Sequence, residues 1–318
     1  MSNVQITEGS LPFPSSTLPD THDLYTKTWR PASSTPLRAR MILVHGFSDH
    51  CNNYEPLVSL LAEQGIAVHG FDQRGWGRSV HTPAEKGRSG PTSQVLEDMT
   101  FFAKHVLAEN AQGDASVPVF LYGHSMGGAQ VLTYAATGPS AVVSQIRGFL
   151  VESPFIALNS ASRPWRMTVV LGRFAGKIFP NRPMVQKLNA QMVSRDPQVV
   201  KEFEADPLNH DTGTLEGLAG MLDRAHNLET GLVILGEGRG EGGLTRLWVS
   251  HGTADGICDY AACRKWYEGV RCKDKEMRVY EGAYHVLHKE PGEEKLIFAQ
   301  DVSKWVLERS GEGGRAKL

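Results

Sequence analysis

Several short runs in the 318-residue chain are apolar at nearly every position, and they recur between stretches with helical spacing. Arg40 to Gly46, Ile66 to Phe71, Val117 to Tyr122, Ile146 to Glu152 and Leu244 to Ser250 all have this form. A strand with one wet face alternates polar and apolar residues. A run without alternation is a strand buried on both faces, which is the habit of a parallel sheet. Helical spacing fills the gaps: Leu57 to Ala62, Thr92 to Glu109, Met126 to about Ala136, Tyr260 to Glu268 and Glu294 to Arg309. Leu24 to Trp29 reads as an edge strand and Met277 to Tyr280 as a further strand. Such alternation predicts an α/β chain, a mostly parallel sheet with helices on both faces, and chemistry at the carboxyl ends of the strands.

The rhythm breaks once. From Ser153 to about Gly231 no buried strand is visible, and one clear helix starts at Thr214. The expected organisation is a core of residues 1–152 and 231–318 interrupted by a helical insertion, 153–230. Leu11 to Pro19, Gly236 to Gly243 and the tail after Ser310 read as loops by composition. A net charge of −2, from 33 basic and 35 acidic residues, argues against a nucleic-acid partner. The four cysteines, Cys51, Cys258, Cys263 and Cys272, are too scattered for a disulfide framework or a zinc ribbon. No secretory signal and no membrane span is visible, so a soluble intracellular protein is expected.

Gly123-His124-Ser125-Met126-Gly127-Gly128 follows one of the buried runs and opens a helix. Gly-x-Ser-x-Gly in that setting is a nucleophile elbow: a strained turn lifts the serine hydroxyl clear of the sheet. The turn also aims the Met126 N–H, at a helix N-terminus, toward a developing oxyanion. A serine needs a base and an orienting carboxylate, and on this architecture both come later in the chain, acid before histidine. Asp255 follows the run ending at Ser250, and His285 follows the strand ending at Tyr280. Ser125, Asp255 and His285 are therefore the candidate triad. The loop His45-Gly46-Phe47-Ser48-Asp49-His50 offers the Phe47 N–H as the second oxyanion donor. Phe71 to Ser79 reads as a tight polar turn that supports the site. No cofactor or metal enters this chemistry.

These motifs resemble the monoacylglycerol lipases of the α/β-hydrolase superfamily, of the kind found in fungi and animals. The resemblance is carried by His45-Gly46-x-x-Asp49-His50, Asp72-x-Arg74-Gly75-x-Gly77-x-Ser79, the Ser125 elbow, His251-Gly252-x-x-Asp255 and Glu281-Gly282-Ala283-Tyr284-His285-Val286-Leu287-His288-Lys289-Glu290. It implies an eight-stranded sheet with the cap inserted after the sixth strand, the same triad, Phe47 and Met126 as oxyanion donors, and cleavage of monoacylglycerols to glycerol and a fatty acid. His50, His288 and Cys258 are candidate substrate contacts. Two departures stand out. Phe47 and Ser48 occupy positions where the family commonly has small residues, and Asn53 precedes Tyr54 where a basic residue is frequent.

Pro164 to Leu171 and Phe174 to Phe179 place apolar residues on helical faces with basic neighbours, which suits a lid over an acyl chain and contact with a membrane or lipid droplet. Ala316-Lys317-Leu318 resembles the peroxisomal Ser-Lys-Leu address, which would engage an import receptor. Cytoplasm, lipid surface and peroxisome are the candidate locations. Rival readings keep the chemistry but change the substrate, to a lysophospholipid or a small carboxylic ester. A lipid-binding protein with an idle triad is the rival from another class.

Overall fold

The computed structural model describes residues 4–13, 22–112, 117–159 and 175–311. Its strands are β1 (Val4–Phe13), β2 (His22–Pro31), β3 (Ala39–Val44), β4 (Ile66–Phe71), β5 (Val119–His124), β6 (Ile146–Glu152), the short pair β7 (Pro183–Val185) and β8 (Thr212–Thr214), β9 (Arg246–Gly252) and β10 (Asp274–Tyr280). Eight of them form one sheet in the order β1-β2-β4-β3-β5-β6-β9-β10. The pairs β1/β2 and β2/β4 are antiparallel, and all later neighbours are parallel.

The apolar runs form strands because each has two dry faces to fill. Ile42 and Val44 of β3 pack into a core with α2 (Thr92–Gln112), α3 (Met126–Thr137), α6 (Leu215–Glu229) and α7 (Tyr260–Gly269). Met41 and Leu43 point the other way, into a core with α1 (Leu57–Glu63) and α8 (Glu294–Glu308). The two-residue period of a strand splits one run between two cores. The short α4 (Ser140–Val143) and α5 (Pro197–Ala205) complete the helices used below.

Two expectations are corrected. Leu24 to Trp29 does not lie at the edge: β1 pairs along the whole of β2 and covers it. Leu11 to Phe13, expected in a loop, ends β1, with Pro12 opposite Asp23. An edge strand tolerates proline because one of its sides has no ladder to complete, and Phe13 is buried and fixes the strand's end. The rest of that loop lies outside the described residues, as do Pro164 to Leu171 and Ala316 to Leu318.

Between β6 and β9 the described chain carries the β7/β8 pair, exposed on β7 and largely buried on β8, and two capped helices. The Asp196 side chain accepts from Gln198 N at the start of α5, with Pro197 in the first turn, and Thr214 Oγ1 accepts from Gly217 N at the start of α6. Val193, Ala225 and Leu228 of this stretch belong to the main core.

Candidate active site

The turn from β5 to α3 holds Ser125 at φ 55°, ψ −117°. A side chain in that region is strained, and it persists only where its surroundings fix it. Ser125 N donates to Glu152 O at 2.9 Å, and Ser125 O accepts from Ala129 N at 3.1 Å and Phe155 N at 2.9 Å. The flanking glycines are required by contact: a Cβ on Gly127 would lie 2.2 Å from Val44 O, and one on Gly123 would lie 2.4 Å from Gly127 O.

The loops after β9 and β10 bring Asp255 and His285 together. His285 Nδ1 donates to Asp255 Oδ2 at 2.8 Å, and both side chains are buried. The bond assigns the Nδ1–H tautomer and leaves Nε2 with a free lone pair. Asp255 Oδ1 accepts from Ile257 N at 2.8 Å and Cys258 N at 2.9 Å, and His251 Nε2 lies 3.1 Å from Oδ2. Burial alone would push the Asp255 carboxyl up. The charge of His285 and the bonds from His251 and His285 outweigh it and hold the group below the usual carboxylate range.

Ser125 and His285 lie on the wall of one cavity of about 520 Å³. Asp49, Asn52, Asn53, Glu202, Asp206, His288 and Lys289 give its lining polar groups, and Val193, Val199, Phe203 and Val286 give it apolar ones. A second cavity of about 180 Å³ meets the first at Phe47, Ser125, Leu188 and Ile257. Met126, Phe155, Leu158, Leu218, Met221 and Leu222 give that one an apolar wall. Ser125 thus stands where the two cavities join, the larger carrying the charged side chains Asp49, Glu202, Asp206 and Lys289 among apolar ones and the smaller mainly apolar residues. Among the described residues, the backbone N–H groups of Phe47 and Met126 have no acceptor, and both residues line the apolar chamber beside Ser125.

Beside the larger cavity, around His288, lies a network that motif spacing did not reveal. His288 Nδ1 donates to Glu152 at 2.8 Å, Tyr122 OH donates to the same carboxylate, and the Tyr54 ring stacks on His288 at 4.6 Å. Burial pushes the Glu152 carboxyl up, but the charges of His288 and His124 and the bonds from His288 and Tyr122 bring it down to about 2. His124 is pushed down to about 4 by burial, against the opposing charge of Glu152, and so is neutral near pH 7. One signal for Glu152 was available, since an acid closes a run that is otherwise almost wholly apolar.

The remaining expected contacts divide. His288 lines the cavity. His50 lines neither chamber, and its Nε2 donates to Asp206 at 2.8 Å instead. Cys258 is fully buried and lines neither chamber either; its side chain contacts Ser125, and burial, then the charge of Asp255, push its thiol well above its ordinary value. Ligand atoms of Asp255, Cys258 and His285 lie within 4.8 Å of one another. As a metal site this donor set fits badly, because the thiol is held neutral and the carboxylate is already engaged by three donors. The turn after β4 supports the site, as its sequence implied. Asp72 accepts from Cys51 N and Arg78 N, and Trp76 packs against Phe47 with ring centroids 4.8 Å apart.

Residues 35–292 match the family model described as serine aminopeptidase, S33. A putative monoglyceride lipase of Schizosaccharomyces pombe is 30% identical over 91% of this chain and 72% of its own length. The monoacylglycerol lipase of Mycolicibacterium smegmatis is 30% identical over 88% of this chain and 91% of its own. A soluble variant of the Saccharomyces cerevisiae monoglyceride lipase shares the fold, with a TM-score of 0.81 at 22% identity over 94% of this chain and 96% of that one. Matched along most of its length in sequence and in architecture, the chain belongs to the monoglyceride lipase family of α/β-hydrolases.

Proposed function

We propose that the chain hydrolyses the ester bond of monoacylglycerols, giving glycerol and a free fatty acid through an acyl-enzyme on Ser125. The observation that carries this reading is the strained Ser125 at the junction of a mainly apolar cavity and a larger one that holds charged and amide side chains, with a carboxylate-held imidazole on the wall of the larger. The names of the relatives point to the same substrate class.

In this mechanism Ser125 Oγ attacks the ester carbonyl and its proton passes to His285 Nε2. The carbonyl oxygen becomes an oxyanion between the Phe47 and Met126 N–H groups. Collapse breaks the ester C–O bond, and the imidazolium protonates the departing glycerol oxygen. A water, deprotonated by the same nitrogen, then attacks the acyl-enzyme and releases the fatty acid. Asp255 keeps the tautomer and stabilises the imidazolium in both halves. The acyl chain fits the chamber of Leu218, Met221 and Leu222, and the hydroxylated end fits the chamber of His288 and Asp49. The 153–230 segment acts as a lid on the core. On it Ile178, Phe179, Met184 and Val185 are 55, 58, 42 and 62% exposed, and Met184 also lines the apolar chamber. Exposed apolar side chains continuous with the acyl site suit contact with a lipid surface.

The test is turnover of a long-chain monoacylglycerol, a diacylglycerol, a lysophospholipid and a short-chain ester by the wild type and by Ser125→Ala. Rapid release of fatty acid from the monoacylglycerol, abolished in the variant, is expected. Turnover of the short ester alone, or equal turnover by Ser125→Ala, would overturn the proposal.

A further inference from the structure

Four non-glycine residues among those described have positive φ: Ser48, Ser125, Ser153 and Asp211. Ser125 is the elbow. Ser48 and Asp211 lie far apart in the chain yet touch, for Asp211 N donates to Ser48 Oγ at 2.9 Å. Ser48 follows the oxyanion candidate Phe47, is fully buried, and sits at φ 53°, where glycine would be the relaxed choice. Its side chain is therefore held there by something, and the bond to Asp211 is what the structure offers.

That bond is one of several made by the same strap of chain. Asp206 accepts from His50 Nε2 at 2.8 Å, and Asn209 accepts from Asn53 Nδ2 at 3.3 Å. His210 stacks on Trp76, with rings 4.9 Å apart and inclined by 7°, and Trp76 in turn packs on Phe47. From the other side the Gly46 N–H donates to Asp49 Oδ2 and to Tyr54 OH, each at 3.2 Å. The peptide carrying the Phe47 N–H is thus clamped upstream by Asp49 and Tyr54 and downstream through Ser48.

We infer that Ser48 is a positioning residue: its hydroxyl ties the Phe47 oxyanion donor to the 206–211 strap, so that this part of the insertion, whose Asp206 lines the larger cavity, also aims one of the proposed oxyanion donors. This rests on the proposed roles of Ser125 and Phe47. Ser48 touches no reacting atom. Its effect is to keep a donor where charge develops, a requirement of the transition state and not of substrate binding.

The experiment compares Ser48→Ala and Ser48→Gly with the wild type in kcat, KM and Tm, and in affinity for a long-chain alkyl boronic acid, which mimics the tetrahedral intermediate on the serine. A non-hydrolysable ether analogue of monoacylglycerol serves as ground-state ligand. Outright loss of an oxyanion donor costs about 10²–10³ in rate, and a loosened donor costs less. Both variants should lose about tenfold in kcat and about tenfold in boronate affinity, with KM and ether affinity within about twofold. Glycine relieves the backbone strain and alanine does not, so equal losses assign the effect to the hydroxyl. His210→Ala, which removes the strap's ring from Trp76 and lies on the wall of neither cavity, should show the same split to a smaller extent, and it decides the matter if neither Ser48 variant folds. Values of kcat and boronate affinity within twofold of wild type in the folded variants overturn the inference, and so does a loss confined to KM or Tm. If the boronate binds Ser125→Ala as tightly as wild type, the Ser125 assignment itself fails, and this inference with it.

Discussion

A serine hydroxyl is a weak nucleophile in water, so the reactivity proposed for Ser125 depends on the groups that would receive its proton and its charge. The Asp255 carboxylate is committed on every side, with two backbone N–H groups on Oδ1 and His285 on Oδ2. That saturation keeps it ionised and fixes the ring it holds. Asp255→Asn is close in shape but favours the other imidazole tautomer. Its kcat should fall by about 10⁴ with little change in KM, as measured by steady-state hydrolysis of a monoacylglycerol. A fall of less than tenfold would mean that His285 is oriented by something else. At this scale the three candidate positions were legible, because elbow, acid and base follow a fixed order along the chain. The Glu152–His288 pair was not, since its members are 136 positions apart and no local pattern joins them.

Elements became legible in the degree that burial wrote itself into them. The runs forming β3, β4, β5, β6 and β9 must be dry on both faces, and few other structures need such runs. β1 escaped notice because only Val4 and Phe13 of its ten residues are buried, so its pattern resembles that of a polar loop. The 206–211 strap was equally silent. It is held by Asp206, Asn209 and Asp211 through polar bonds to distant loops, which leave no periodic trace. The exposed residues of 178–185 yield a prediction at this scale. Phe179→Asp combined with Val185→Asp should lower sedimentation with phosphatidylcholine vesicles several-fold, and should leave hydrolysis of a soluble short-chain ester within about twofold. Unchanged sedimentation would remove the lipid-surface reading and leave the acyl chamber untouched.

For the whole molecule, buried histidines that resist protonation shape the response to acid below pH 6.5, the ordinary histidine value. His251, which burial pushes down but Cys263 and Asp255 raise to about 10, adds its pH dependence above that value. Burial pushes His45 down, His69 well down and His124 to about 4, from an ordinary 6.5. A group with a depressed folded pKa leaves stability intact above its unfolded value and removes it as pH falls toward the folded one, because the unfolded chain takes up the proton first. Stability should therefore begin to fall near pH 6.5, above the range where carboxylates titrate. The slope should approach ~1.4 kcal/mol per pH unit for each histidine held well below the window, His69 and His124. Urea unfolding at pH 8, 6.5, 5.5 and 5 checks this, and His69→Gln should flatten the slope between pH 6.5 and 5. A flat profile down to pH 5 would show that these rings are not held neutral. The same burial explains the overall architecture: two apolar cores sandwich the sheet, and the reactive groups gather where the parallel strands end.

In the proposed mechanism Ser125 becomes nucleophilic through His285. This activation is tested most directly by mapping where a fluorophosphonate attaches, using peptide mass spectrometry and the rate of adduct formation. The adduct should appear on Ser125 alone, vanish in Ser125→Ala, and form at least about 10³ times more slowly in His285→Ala while that variant stays folded. An adduct on any other residue, or a rate in His285→Ala equal to wild type, would rule out that role for the pair.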